Sequence, residues 1–256
     1  MAFIQCSFKS EVLGNPASIN AILPRRPAAD RNADEHRCLW LLHGLSDDHS
    51  TWMRYTAIER YADAFGVAVV MPDVQRSFYA DMAHGRRYWT YVSEELPAAA
   101  RSFFRLSPRR EDNVVAGLSM GGYGAFKLAL RHPERFGAAA SLSGALDLAS
   151  WLPLKPDDPM AEDLRLVFRE PNGIAGTDDD LFALAERLVA SGRPRPALYQ
   201  CCGTSDFLYP DNVRFRDHAR ALDLGVTYEE GPGNHEWGYW DRQILRVLEW
   251  LREQHP

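Results

Sequence analysis

Residues 114–124 read VVAGLSMGGYG, a serine set between glycines at the end of a branched apolar run. Gly117-Leu118-Ser119-Met120-Gly121 fits G-x-S-x-G, in which a tight strand-to-helix turn exposes the serine hydroxyl. Side chains two positions to either side would collide in that turn, so glycine is needed there. Such a hydroxyl becomes a nucleophile when a base takes its proton and an acid orients the base. The expected chain order is Ser, then Asp or Glu, then His. His36, His43, His49 and His84 precede Ser119. His132 falls in the turn after the helix that Ser119 begins, His218 falls on a predicted exposed helix, and His255 is in the tail. His235, in GPGNHEW, remains as the candidate base. Asp206, in CGTSD, is the candidate acid. Asp147 is a rival because it also follows a strand. Asp211, after Pro210, reads better as a helix N-terminal residue.

Attack on a carbonyl makes an oxyanion, which needs two preorganised N–H donors. Met120, next to the nucleophile, supplies one. Leu45, in the His43-Gly44-Leu45 turn, supplies the other. His43 itself is expected to hydrogen-bond within that loop. A histidine base must be neutral, so activity is expected to fall below about pH 6–7. The aromatics Trp52, Tyr88, Trp89, Trp151, Trp237 and Tyr239 gather near the expected active edge, and Trp89 is the candidate substrate contact.

These residues need a scaffold. Short strands are expected at 3–12 and 17–23, joined through Gly14-Asn15-Pro16. Residues 24–36 read as an exposed loop. Continuous apolar runs at 38–42 and 67–71 suit strands buried on both faces. Helical spacing over 52–65 ends at Gly66. Beyond it, helices at 93–105, 120–131, 211–223 and 238–253 alternate with strands at 113–118, 138–143, 197–202 and 225–230. This rhythm predicts an α/β domain with a mostly parallel sheet. Ligands of such sheets bind at the carboxyl ends of the strands. Residues 147–193, rich in Pro and Asp, break the rhythm. Helices near 159–169 and 179–190 would make them a small cap insertion within a single domain of 256 residues.

The chain is 46% hydrophobic and 25% charged, with a net charge of −6 and no basic patch. That composition argues against a nucleic-acid partner. The cysteines lack C-x-x-C spacing, which fits a cytoplasmic location better than an oxidising one. No signal peptide or membrane span is visible, and Ser46-Asp47-Asp48-His49 has no matching ligand cluster for a metal.

LLHGLSDDHSTW, VVMPD, YWTYVSEELP, GLSMGGYGAFKLAL, GTSDFL and GNHEWGYWDRQI together resemble the esterase D-like α/β-hydrolases. The likeness is greatest to the bacterial tributyrin esterases, relatives of S-formylglutathione hydrolase. The resemblance implies an α/β-hydrolase fold with a mostly parallel sheet of about eight strands and helices on both faces. It also implies no cofactor, hydrolysis of short-chain acyl esters, and Ser119, Asp206 and His235 as a triad. The same machinery would serve an S-formylglutathione thioesterase, or acyl transfer to an alcohol or sugar. A non-catalytic binding protein of this fold would usually have lost a triad member. Small ester or thioester substrates are the expected partners, and the sequence leaves room for a homo-oligomer.

Overall fold

A computed structural model describes residues 1–25, 35–151, 160–168 and 173–254. Its eight strands are β1 (Ala2–Ser10), β2 (Asn15–Leu23), β3 (Cys38–Leu42), β4 (Ala68–Pro72), β5 (Asn113–Leu118), β6 (Ala138–Leu142), β7 (Ala197–Gly203) and β8 (Val226–Gly231). They form one sheet in the order β1-β2-β4-β3-β5-β6-β7-β8. β1 and β2 pair antiparallel, β2 meets β4 antiparallel, and every other pairing is parallel. β3 to β6 are buried at every position, as their unbroken apolar runs require. The edge strands β1 and β8 keep exposed positions.

Helices cover both faces. α1 (Thr51–Tyr55), α2 (Ile58–Phe65) and α9 (Trp237–Gln254) enclose one apolar cluster, including Trp52, Ile58, Tyr239 and Ile244. The other face carries α3 (Tyr88–Thr90), α4 (Leu96–Phe103), α5 (Met120–Arg131), α6 (Ala161–Val167), α7 (Leu181–Ser191) and α8 (Tyr209–Ala221). The single helix expected over 52–65 is two. Thr56 ends α1 in an extended conformation, its hydroxyl bonded to the Trp52 carbonyl at 2.5 Å. Asp241 then accepts the Ala57 N–H at 2.9 Å. The helix expected over 93–105 begins earlier, at Tyr88, because α3 runs into α4 through a π turn at Tyr91–Glu95.

The segment expected to form a cap divides in two. α7 packs against α5 and α8 as part of the helical layer on the sheet. Its start is fixed by Asp180, whose carboxylate accepts the Phe182 N–H at 2.9 Å. α6 instead docks on the 73–84 loop, where Ala83 and His84 N–H groups donate to the Val167 and Leu166 carbonyls at 2.9 Å each. Residues 152–159 and 169–172 of this segment lie outside the described residues, as do 26–34 of the expected N-terminal loop and His255. Among the described residues no helix is long and apolar enough to cross a membrane.

Candidate active site

The carboxyl ends of β3, β5, β6, β7 and β8 fall along one edge of the sheet. The register pairs Leu42 with Gly117, Leu118 with Leu142, and Gly203 with Gly231. Ser119 leaves β5 at φ 54° and ψ −120°, a conformation costly for a residue with a Cβ. The surroundings enforce it. Ser119 N–H donates to the Leu142 carbonyl at 2.9 Å, and its own carbonyl accepts from Tyr123 and Ala145. A Cβ on Gly117 would strike the Gly121 backbone, and one on Gly121 would strike the Leu42 carbonyl. The two glycines therefore let strand, turn and helix close on one another.

Asp206 and His235 stand on the loops after β7 and β8. Those loops are laced together: Thr204 N–H donates to the Gly231 carbonyl at 2.9 Å and Ser205 N–H to the Gly233 carbonyl at 3.0 Å. Gly203 and Gly233 meet so closely that a Cβ on Gly203 would collide with the Gly233 backbone. His235 Nδ1 lies 3.0 and 2.9 Å from the two Asp206 carboxylate oxygens, and Nε2 lies 3.1 Å from Ser119 Oγ. The Asp206 side chain is fully buried, and its Oδ1 also accepts the Leu208 N–H at 2.9 Å. A carboxylate on Nδ1 sets the tautomer, leaving the Nε2 lone pair aimed at the serine hydroxyl. The rival carboxylates are engaged elsewhere. Asp147 accepts from Arg214 at 2.6 Å, and Asp211 accepts from Arg214 and from Trp151 Nε1 at 2.7 and 2.6 Å. Burial, with Asp206 nearby, pushes the Cys202 thiol up to about 12, so it stays protonated and inert.

Leu45 and Met120 both border the same cleft as Ser119. Neither backbone N–H is bonded to an acceptor among the described residues. The loop carrying Leu45 is pinned on all sides. Trp52 Nε1 donates to the Leu42 carbonyl at 3.0 Å, and Asp47 accepts the Gly44 N–H at 3.1 Å. Burial raises the Asp47 carboxyl above its usual value, against the opposing pull of His43. Burial likewise holds the His43 imidazole below the ordinary histidine value.

The cleft encloses about 890 Å³. Its wall is mostly apolar and aromatic: Phe78, Trp151, Met160, Phe207, Trp237 and Trp240. The His235 ring is flanked by Phe207, centroid to centroid 4.6 Å, and by the edge of Trp240 at 4.8 Å. Trp240 continues into Trp237, and Tyr55 stacks on Trp237 at 5.2 Å. Phe207, 70% exposed, stands at the rim. Trp151 and Trp237, two of the aromatics singled out in the sequence, do line the cleft.

Trp89 does not. Its ring stacks on His132 and lies under the Arg131 guanidinium at 4.0 Å and the Lys127 ammonium at 4.9 Å. Lys127 is eight residues along α5 from Ser119, on the order of 12 Å at the helical rise per residue. α5 borders the cleft at Met120, its first residue, and Trp89 packs at the other end of the helix. Phe207, Trp240, Phe78 and Met160 escaped the sequence reading. Only Phe207 had a local signal, its place beside Asp206.

The Esterase family model matches residues 10–251. The acetyl esterase of Caldicellulosiruptor saccharolyticus is 31% identical over 261 residues, with 98% of each chain covered. Among solved structures, the substrate-bound fluorophosphonate-binding serine hydrolase F of Staphylococcus aureus is 37% identical, with a TM-score of 0.89 and 98% of each chain covered. S-formylglutathione hydrolase from the same organism is 36% identical, with a TM-score of 0.87 and the same coverage. The chain belongs to the Esterase family, a carboxylic ester hydrolase built on the α/β-hydrolase fold.

Proposed function

We propose that the chain hydrolyses short-chain acyl esters through an acyl-enzyme on Ser119. The observation that carries this reading is the continuous line from the buried Asp206 carboxylate through His235 to the Ser119 hydroxyl. Ser119 Oγ attacks the ester carbonyl carbon as His235 Nε2 takes its proton. The N–H groups of Leu45 and Met120 hold the resulting oxyanion. The bond to the alcohol oxygen then breaks, and His235 returns the proton to that oxygen. Water, deprotonated by His235, attacks the acyl carbon; the bond to Ser119 Oγ breaks, His235 returns the proton to that oxygen, and the acid leaves. Asp206 keeps the imidazole oriented and stabilises its charged form.

The acetyl esterase relative supports a small acyl group. An acetyl group fills little of a cleft of about 890 Å³, so the remaining space falls to the alcohol portion. Trp151 and Met160, which flank residues 152–159 of the 147–193 segment, would border that space. A soluble small-molecule ester, taken up without a metal or cofactor, is the substrate class that fits.

The test has two parts. Fluorophosphonate labelling should modify wild-type Ser119, identified by peptide mass, and leave Ser119→Ala unlabelled. A series of p-nitrophenyl esters, with S-formylglutathione alongside because of that relative, should show turnover highest for two- to four-carbon acyl groups. Labelling that persists in Ser119→Ala would remove the nucleophile assignment. Greater turnover of S-formylglutathione than of any ester would make the chain a thioesterase using the same residues.

A further inference from the structure

We infer that His43 and Tyr79 are positioning residues that together aim the Leu45 N–H at the oxyanion. This inference rests on Leu45 acting as a donor, as proposed above. The Gly44 carbonyl and the Leu45 N–H belong to the same trans peptide, so they point in opposite directions. Whatever fixes the carbonyl also fixes the donor.

The carbonyl is fixed by a side chain. His43 Nδ1 lies 2.7 Å from the Gly44 oxygen. A ring nitrogen can donate there only if it carries the proton, and the other ring nitrogen decides that. Val74 N–H points at His43 Nε2 from 3.0 Å, so Nε2 must accept. The proton therefore sits on Nδ1, and the imidazole clamps the Gly44 carbonyl away from the cleft. His43 is 1% exposed, so water does not compete for either contact.

His43 is itself anchored. The Tyr79 hydroxyl donates to the His43 carbonyl at 2.9 Å. Tyr79 is fully buried, its ring set against Gly124 where a Cβ would collide. Its own carbonyl accepts from Lys127 Nζ at 2.9 Å, and Lys127 is ion-paired with Asp179 at 2.5 Å. Gln75, Phe78 and Tyr79 all hold positive φ, near 50°, without being glycine. Left-handed backbone at such residues persists only where the surroundings over-determine it. Here the strained turn places the Tyr79 hydroxyl beneath the loop and Phe78 in the cleft wall. The nucleophile helix thus steadies the oxyanion loop through Lys127 and Tyr79.

Three variants test the inference, with every rate expressed per site titrated by fluorophosphonate so that misfolded chains do not count. His43→Leu removes the clamp. His43→Asn keeps an N–H donor close to the place of Nδ1. Tyr79→Phe keeps the buried ring and removes only the hydroxyl. Two quantities are read: kcat and KM for p-nitrophenyl acetate, and the affinity for a trifluoromethyl ketone, which forms a tetrahedral adduct on Ser119. Misplacing one donor should lower kcat on the order of 100-fold in His43→Leu and about tenfold in Tyr79→Phe. Adduct affinity should fall by the same factors while KM holds. His43→Asn should recover most of the loss. Wild-type kcat in Tyr79→Phe, or His43→Asn no better than His43→Leu, would overturn the inference. Should His43→Leu not fold, Tyr79→Phe decides alone. Ser119→Ala separates the levels: if it is dead while Tyr79→Phe is normal, only the positioning fails, and if it is active, the proposed mechanism fails first.

Discussion

The two sides of the cleft are built differently. On the side of Ser119 and His235, backbone lies against backbone. Gly117 touches Gly121, Gly203 touches Gly233, and backbone hydrogen bonds of 2.9 and 3.0 Å join the loops after β7 and β8. On the side of Trp151 and Met160, long side chains span open surface. Arg76 holds Asp163 on α6, and Arg214 ties Asp147 to Asp211. Close-packed backbone has few ways to yield, whereas exposed ion pairs yield readily. The frame of Ser119 and His235 is therefore the more rigid, and the wall at Trp151 and Met160 adds polar tethers to the backbone bonds that dock α6 on the 73–84 loop. Chemistry and selectivity should respond to different mutations.

The strongest way to break that division is at the frame. His235→Ala should lower kcat by about 10⁴–10⁶, leaving the residual rate from binding and the oxyanion site. A loss below about tenfold, measured with p-nitrophenyl acetate, would mean that the frame does not hold the base. Gly121→Ala would push a methyl into the Leu42 and His43 carbonyls. It should cost about 3 kcal/mol of stability or more, read by urea denaturation. A well-folded Gly121→Ala with full activity would show that the frame yields after all.

The wall should give smaller and more selective effects. Trp151→Ala should change the ratio of acetyl to hexanoyl ester rates about tenfold while the acetyl rate changes little. Trp89→Ala should leave that ratio alone, since its ring belongs to Lys127, Arg131 and His132. Equal shifts in both variants would erase the distinction between wall and packing.

A titration sharpens the same contrast. Burial lowers the pKa of His43 in the frame. Above the ordinary histidine value both folded and unfolded chains keep this ring neutral. As pH falls past that value, the unfolded chain takes up a proton that the folded chain refuses, so stability drops. The slope is at most about 1.4 kcal/mol per pH unit for one such group. Thermal unfolding between pH 7 and 5 should follow it, and His43→Asn should flatten the curve. The smallest effect belongs to a tether. Arg76→Ala should cost under about 1 kcal/mol, because the Arg76 side chain is nearly half exposed and water screens the pair. A larger loss would make α6 part of the frame.

Much of the frame was legible in the sequence because local sterics dictate it. A serine between glycines, after a run of buried residues and before a helix of small ones, has few other structures open to it. The order Ser119, Asp206, His235 pointed to three side chains that the fold places within bonding distance. The wall was less legible. Trp89 and Trp151 look alike in sequence, and only the direction in which an element leaves the sheet separates them. The break at Thr56 hinges on one hydroxyl returning to the carbonyl of Trp52. The role of α7 was hidden for a related reason: its apolar stripe shows that it must be buried, not that α5 and α8 bury it. Phe78 reaches the cleft from a turn with positive φ that no glycine announces.

The aromatic line from Tyr55 through Trp237 and Trp240 to His235 and Phe207 also makes the site luminous. Indoles excited in the ultraviolet respond to polarity and to quenching groups within contact range. Three of the seven tryptophans border the cleft, so an occupant displaces water from beside a large share of the emitters. Ligand arrival should therefore be readable as a change in intrinsic fluorescence, with no label attached and no bond broken.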